Sequence, residues 1–582
     1  MKRIIQKLTV AACFVAMAFT VQAQNADEVF RAAGSPHNPK VQISFNRYYT
    51  AEGLAALGKK IADAYPNLVK RVSIGKSYEG RDMWMLQITN FEKGDPDRKP
   101  GFYVDGNIHS NEIQGGEISI YTAWYLTENY GDIDFVTEML DNRIFYIVPT
   151  INPDARNNYM QEPNTGSSPR AGMIAMDDDQ DGLFDEDLPD DIDGNGSITQ
   201  MRRKSPTGNM IVDPQDPRKM IAIGVDDNVP ADVVRYEFLG QEGIDNDGDG
   251  QVNEDPHGYY DPNRDWAWKW QPDYIQRGAY KYPFSVPENR AVADFVLAHP
   301  NIAGGQSFHN SGGMILRGPG AEEDLSTYNR ADIRIYDAIG EKGEKILPGY
   351  RYLTVYKDLY SVFGGELDWF YGSRGIYTFT NEIFTSFAYY KNNEGGRRGG
   401  NLSYDVDSEL LMGDAFEPWK TFNHPTYGEI EVGGFKKNFG RATPGFMLEE
   451  ECHRNMAFTL YHAYHMPNLS ISNVEEKDLG GGLKEITATI SNDRLMPTHA
   501  SQDLKYKIER PDYISIAGVD VQAGMIVEDA DFGVTTEQKV NPAKLEVVNI
   551  PGDGFVKVRW IVSGKGKYTI TVDSAKGGLV TK

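Results

Sequence analysis

His109 and Glu112, with two residues between them, sit in GFYVDGNIHSNEIQGGEISIYTAWYL, residues 101 to 126. This stretch reads as an apolar strand from Phe102 to Val104, a Gly-Asn turn and a long helical run. The pair falls at the mouth of a strand-to-helix turn, where an open α/β sheet presents its ligand site. An imidazole nitrogen and a carboxylate at this spacing can grip one small divalent cation, and Zn2+ accepts both ligand types. On these residues alone, a solvated turn with a helix-start Glu is the simpler reading. His309 changes that, because it ends a strand in QSFHNSGG and falls at the same sheet edge. His109, Glu112 and His309 form a two-imidazole, one-carboxylate set that leaves a fourth zinc position open, the mark of a catalytic site. His462 and His465 are assigned to the closing helix and not to metal.

A second chemistry-bearing stretch runs from about 160 to 258 and is polar, acidic and Gly-rich. Asp177, Asp179 and Asp181, then Asp191, Asp193 and Asn195, then Asp245, Asp247 and Asp249 each repeat oxygen ligands at every second residue. Gly follows closely each time, as in the first half of an EF-hand Ca2+ loop. The twelfth positions hold Leu188, Arg202 and Pro256 in place of the usual Glu, and Asp185, Asp187 and Asp255 are nearby acids that could close the coordination. A disordered acidic insert is the other reading. Calcium is favoured, because the spacing occurs three times in a chain without disulfides.

Strands and helices must position these groups. Helical spacing runs from about 50 to 65, followed by paired strands VKRVSIG and MWMLQIT and the apolar strand RIFYIVPT. After the insert, PFSVPENRAVADFVLAHP predicts a helix, IAGGQSFHN and IYTFTNEIF predict strands, and GFMLEEECHRNMAFTLYHAYHMP predicts a closing helix. Residues 385 to 445 read as Gly-rich loop. The alternation predicts an α/β domain with a mixed central sheet flanked by helices, over residues 24–467 with the acidic insertion inside it. From 468 to 582, short alternating runs, among them LKEITATISN, LKYKIERP and FVKVRWIVSG, predict a β-sandwich that serves as a stabilising or adhesive appendage.

At 582 residues, two or three domains are expected. Residues 1–23 have a basic start, an apolar middle and a small residue at Ala23, as in a cleaved secretory signal peptide. Secretion or a periplasmic address follows from that reading, and cleavage takes the net charge from −25 to −28 by removing Lys2, Arg3 and Lys7. Only Cys452 would remain, so no intrachain disulfide can form. The negative charge argues against nucleic acid as a partner, and no further apolar stretch is long enough to span a membrane.

The ordered motifs HSNE (109–112), RRK (202–204), DPNRDW (261–266), SFHNS (307–311), LYSVFGGELDW (359–369) and FTNEI (379–383) complete the picture. On these the chain resembles the M14 zinc metallocarboxypeptidases of the carboxypeptidase A/B and T class, over roughly residues 45–465. The resemblance implies that His109, Glu112 and His309 bind zinc and that Glu382 is the general base, moving a proton from the attacking water to the leaving amine. It implies that Arg203 stabilises the tetrahedral oxyanion, although Arg202 stands where the family usually has Trp. It also implies that Asn263 and Arg264 bind the terminal carboxylate of a peptide or protein, a task suited to a planar guanidinium. Asp261 would orient a zinc-bound imidazole, Tyr360 would close over substrate, and Arg81 would contact it upstream of the scissile bond. Leu367 would floor the side-chain pocket and favour apolar ends. Two alternatives stand beside this: a carboxypeptidase of cell-wall peptides, and a calcium-dependent binding or adhesion protein whose peptidase domain is inactive.

Overall fold

Alternating apolar residues make an antiparallel pair of strands, β1 (Val69–Lys76) and β2 (Asp82–Ile88). The next strands, β3 (Gly101–Gly106) and β4 (Ile144–Val148), are unbroken buried runs, as expected of strands covered on both faces. With β5 (Ile302–Asn310), β6 (Met314–Arg317), β7 (Arg351–Thr354) and β8 (Tyr377–Ile383), they form one eight-stranded sheet in the order β1-β2-β4-β3-β5-β8-β6-β7. The central run β4-β3-β5-β8 is parallel, whereas β2 on β4 and β6 on β8 are antiparallel, so the sheet is mixed. The computed structural model describes residues 32–163, 170–177, 180–224, 226–258, 260–391, 402–564 and 566–582. The expected leader, residues 1–23, lies outside the described residues, as does Asp179. Residues 43–582 form one compact unit.

Register brings the chemistry to one edge. Gly106 pairs with Phe308, and Glu382 pairs with His309, so the residues just past these pairs share the carboxyl edge of three neighbouring strands. The chain leaves β3 through a tight turn into a helix, α1 (Gln114–Glu128), every residue of which is buried. The first turn of α1 tolerates no side chain at Gly115, where a Cβ would lie 2.9 Å from both Gly106 Cα and Phe308 Cβ. On the other face a helix, α2 (Pro287–Ala298), presses Ala291 against Gly75 of β1. An aromatic layer of Trp266, Trp369, Phe370 and Tyr103 joins the sheet to a third helix, α3 (Glu366–Arg374). The closing helix, α4 (Gly445–Tyr464), packs on α1 and buries Cys452 and His462. Among the described residues, no helix is long and apolar enough to cross a membrane.

Two stretches read from the sequence as loops build a second sheet. Strands Phe416–His424 and Gly428–Phe435 pair with Gln200–Lys204, Arg235–Gln241, Met210–Val212 and Met220–Ala222 in six-stranded order. Ile430 and Val432 pack on Met201 across 230 residues of chain. The sequence pattern was too sparse to show strands here because each contributes only one or two apolar residues to that small core.

Residues 468–582 form a five-stranded and a four-stranded sheet around Ile486, Ile514, Val558 and Trp560. Within LKYKIERP, read as a strand, Leu504 to Tyr506 end a helix instead, Ser501–Tyr506. Its polar residues dock on the α/β domain: Gln502 Nε2 donates to Gly372 O (2.9 Å) and Ser501 N to Asp332 Oδ2 (2.8 Å). Lys576 Nζ adds bonds to Arg374 O (2.8 Å) and Gly375 O (3.1 Å) at the end of α3.

Candidate functional site

Three donor atoms converge at the sheet edge. His109 Nδ1 and His309 Nδ1 each lie 2.9 Å from Glu112 Oε2, and 3.2 Å from each other. All three residues are buried. Tetrahedral zinc with bonds of ~2.0–2.1 Å puts neighbouring ligand atoms ~3.3 Å apart. The donor set therefore fits a zinc ion in chemistry and in spacing. Two further contacts hold it: His109 Nε2 is 2.9 Å from Asp261 Oδ1, and Asn310 N donates to Glu112 Oε2 at 3.2 Å. A carboxylate on the far nitrogen of a metal-binding imidazole sets its orientation and basicity.

The charges around the triad are arranged in opposition. Burial works against ionisation of Glu112, but the adjoining His109 and His309 outweigh it and hold the carboxyl well below the usual range. Asp261 is likewise held well below it, burial being outweighed by Arg264, His109 and Arg170. Glu382, by contrast, is pushed up to about 7 by burial and by the Glu112 charge. Two carboxylates in one pocket are thus driven apart, one kept as a ligand and one poised near neutrality to exchange a proton.

A pocket opens beside the triad. His109, His309, Arg170, Asn263, Arg264 and Glu382 line its polar side, and Leu316, Val355, Leu359, Val362 and Leu367 line its apolar side. Asp368 reaches its wall with both oxygens taken, by Gly320 N (2.8 Å) and Tyr328 Oη (3.0 Å). Tyr360 stands at the rim, 55% exposed. Asn263 and Arg264 belong to a short helical turn capped by Asp261, whose Oδ1 accepts from Asn263 N at 2.8 Å. Asn263 Oδ1 in turn accepts from Glu366 N (2.8 Å), tying this turn to the start of α3.

Arg203 does not line this pocket. Arg203 lies on the strand Gln200–Lys204 of the second sheet, where its Nε donates to Glu237 at 2.8 Å. Arg202 beside it pairs with Glu431 and stacks on Trp419. Neither lines the pocket. The guanidiniums that face the triad are Arg170, donating to Glu112 Oε1 (3.1 Å) with Nη2 2.8 Å from His109 Nε2, and Arg441, donating to Glu112 Oε1 and Asn310 O (both 3.0 Å). Sequence reasoning missed both, because SPRAG and GRATPG carry no spacing that relates them to His109. Arg81 also stands apart. It is fixed by Asp154 (2.7 Å) in another cavity, lined by Leu54, Arg71 and Trp84.

In the acidic insert, one carboxylate oxygen from each of Asp245, Asp247 and Asp249 lies within 4.8 Å of the others. Asp181 instead meets Glu186 and Asp247 of the third loop, and Asp177 Oδ2 accepts from Gly182 N at 3.2 Å. Asp191 and Asp193 gather with Glu242, a residue that no loop pattern indicated, while Asn195 Oδ1 accepts from Ser197 N at 2.9 Å.

Comparison with known proteins gives two family matches. The zinc carboxypeptidase family matches residues 54–169 and 240–389, and a domain of unknown function matches residues 468–582. Carboxypeptidase D of Drosophila melanogaster is 31% identical over 119 residues, which is 20% of this chain and 8% of that protein. The inactive metallocarboxypeptidase ECM14 of Ajellomyces capsulatus is 28% identical over 132 residues, 23% of this chain and 22% of that protein. The crystal structure of thrombin activatable fibrinolysis inhibitor shares 16% identity over 72% of this chain and 75% of that one, with a TM-score of 0.41. The chain spans a tenth or less of the length of the carboxypeptidase D relatives it matches.

Proposed function

Since this chain carries a domain of the zinc carboxypeptidase family, M14, we propose that it is a metallocarboxypeptidase that removes the last residue of a peptide. The observation that carries this reading is the convergence of His109, Glu112 and His309 beside Glu382, at a pocket whose polar side also holds Asn263 and Arg264. Those three residues would hold zinc, which would supply a Lewis acid for the peptide carbonyl and lower the pKa of water.

The chain's own groups do the rest. Arg264 meets the terminal carboxylate with parallel N–H donors. Asn263 Oδ1 is already engaged by Glu366 N, so its NH2 end is the one offered to the same anion. Only a chain end has that carboxylate, which makes the reaction exopeptidic. Glu382 takes a proton from the attacking water and returns it to the leaving amine, and its value of about 7 serves both steps. Arg170 stabilises the oxyanion as charge develops on the carbonyl oxygen, the role first expected of Arg203. Tyr360 covers the bound end from the rim. The apolar wall around Leu367 favours apolar or aromatic terminal side chains. The leader-like opening supports export, and the alternate-residue acids of the insert support a calcium-carrying module.

The test pairs an N-acylated peptide ending in free Phe with its C-terminal amide, using zinc-loaded protein whose metal content is measured. Release of free Phe from the first alone supports the proposal. Full zinc occupancy with no turnover of either supports the binding-protein reading, which the ECM14 likeness keeps in view. Turnover only of peptides ending in D-Ala would move the substrate to the cell wall.

A further inference from the structure

We propose that the insert holds one structural calcium ion, bound by Asp191, Asp193, Asn195 and Glu242, and that this ion anchors the second sheet. The inference uses no part of the peptidase reading. Ligand oxygens of Asp191, Asp193 and Glu242 all lie within 4.8 Å of one another, the span of two Ca–O bonds of ~2.4 Å. Asp191, Asp193 and Asn195 come from one turn, DIDGNG, in which Gly194 (φ +71°) and Gly196 (φ +83°) bend the backbone through the left-handed region.

Glu242 is the independent observation. It arrives from the end of the strand Arg235–Gln241 and its relative exposure is 0%. Its Oε1 accepts from Thr199 N at 2.8 Å. Its Oε2 is buried with no hydrogen-bond partner, and so is Asp193 Oδ2. A buried carboxylate oxygen without a donor is costly in a folded protein. Among the described residues, no Lys, Arg or His forms an ion pair with Asp191, Asp193 or Glu242. Lys437 feels the Asp191 charge, but its Nζ donates to Glu162 O (2.6 Å). Three carboxylates and an amide form an all-oxygen set, which suits a hard cation; the carboxylate count and the loop-borne ligands at alternate residues favour Ca2+ over the strict octahedron of Mg2+.

The ion would also connect to the pocket. Ser197 Oγ, one residue past the turn, accepts from Lys437 N at 3.0 Å, and Tyr159 Oη donates to Lys437 O at 2.8 Å. Four residues later Arg441 reaches Glu112. Calcium at Glu242 therefore fixes the base of the segment that brings Arg441 to the triad.

The experiment uses the full chain, freed of divalent ions and titrated with CaCl2 by calorimetry. In parallel, hydrogen exchange is followed in the peptide covering residues 190–200. Because other acidic loops could also take calcium, the decisive comparison is with Glu242→Gln, and with Asp193→Asn should the first variant fail to fold. The expected result is saturable binding that slows exchange in this peptide, with one ion fewer bound, or affinity weaker on the order of tenfold, in the variant. Unchanged stoichiometry and affinity in both variants, or no protection of residues 190–200 by calcium, overturns the proposal. Neither readout depends on peptide hydrolysis, so failure of the enzymatic reading leaves the outcome intact.

Discussion

Raising the pH should loosen the C-terminal sheets from the α/β domain, and His499 is the group responsible. Its Nδ1 lies 2.8 Å from Asp503 Oδ2 and its Nε2 lies 3.4 Å from Asp512 Oδ1. Both acids are buried, and Asp503 belongs to the docking helix Ser501–Tyr506. Burial alone would push the imidazole down, but Asp503 and Asp512 outweigh it and raise it from the ordinary 6.5 to about 9. The folded state thus holds this proton more tightly than the unfolded chain. The stabilisation is complete below about 6.5 and is lost as the pH rises through about 9. The gap of about 2.5 between those values, at ~1.4 kcal/mol for each pKa unit, corresponds to about 3.5 kcal/mol in full, of which about 3 is lost between pH 6.5 and 9.5. Lys99 and Lys437 act with the opposite sign. Burial pushes each down from 10.5 to about 8, so their contributions rise with pH above 8. The measurement must therefore be a difference. Urea unfolding of wild type and His499→Gln is compared at pH 6.5, 8 and 9.5, with hydrogen exchange of the peptide around residues 495–515 corrected for its intrinsic pH dependence. Wild type should lose about 3 kcal/mol relative to the variant across this window. A difference between the two proteins that stays constant with pH would refute the reasoning, because the imidazolium would then not be the group that titrates.

Three further outcomes follow from the pocket. Arg170→Ala should lower kcat by ~10²–10³, as loss of an oxyanion donor does, whereas Arg203→Ala should leave steady-state kinetics on the same acylated peptide unchanged; the reverse pattern would restore the assignment made from sequence. Glu382→Gln should retain zinc by metal analysis while losing ~10²–10⁴ in turnover, and a variant with near wild-type kcat would remove Glu382 from proton transfer. Arg264→Lys should raise KM for a free-carboxylate substrate on the order of tenfold through loss of the parallel hydrogen bonds, and an unchanged KM would mean that the carboxylate binds elsewhere.

Much of the site is legible in the sequence because its residues sit at punctuated places. His109 and Glu112 follow a strand and a turn, His309 and Glu382 end strands, and Asp261 to Arg264 form a Pro-containing turn. Element ends are marked by local chemistry, and local chemistry is what a single sequence displays. The central sheet is legible for the same reason, since its buried strands are continuous apolar runs. The second sheet is not, because its strands join residues 200 and 430 through a core of a few side chains. Nor is the helix Ser501–Tyr506, whose buried Gln502 and Asp503 look like surface residues until the docking face is seen.

The sequence by itself determined the kinds of groups present, the order of their elements and the alternate-residue acids of the insert. Only the tertiary structure decided which arginine faces the triad and which carboxylate completes the Asp191 turn. Arg170, Arg441 and Glu242 reach their places through contacts between segments distant in the chain. No spacing rule relates such segments: a charged side chain is positioned by whichever partner burial brings to it, and that partner exists only once the sheets have packed.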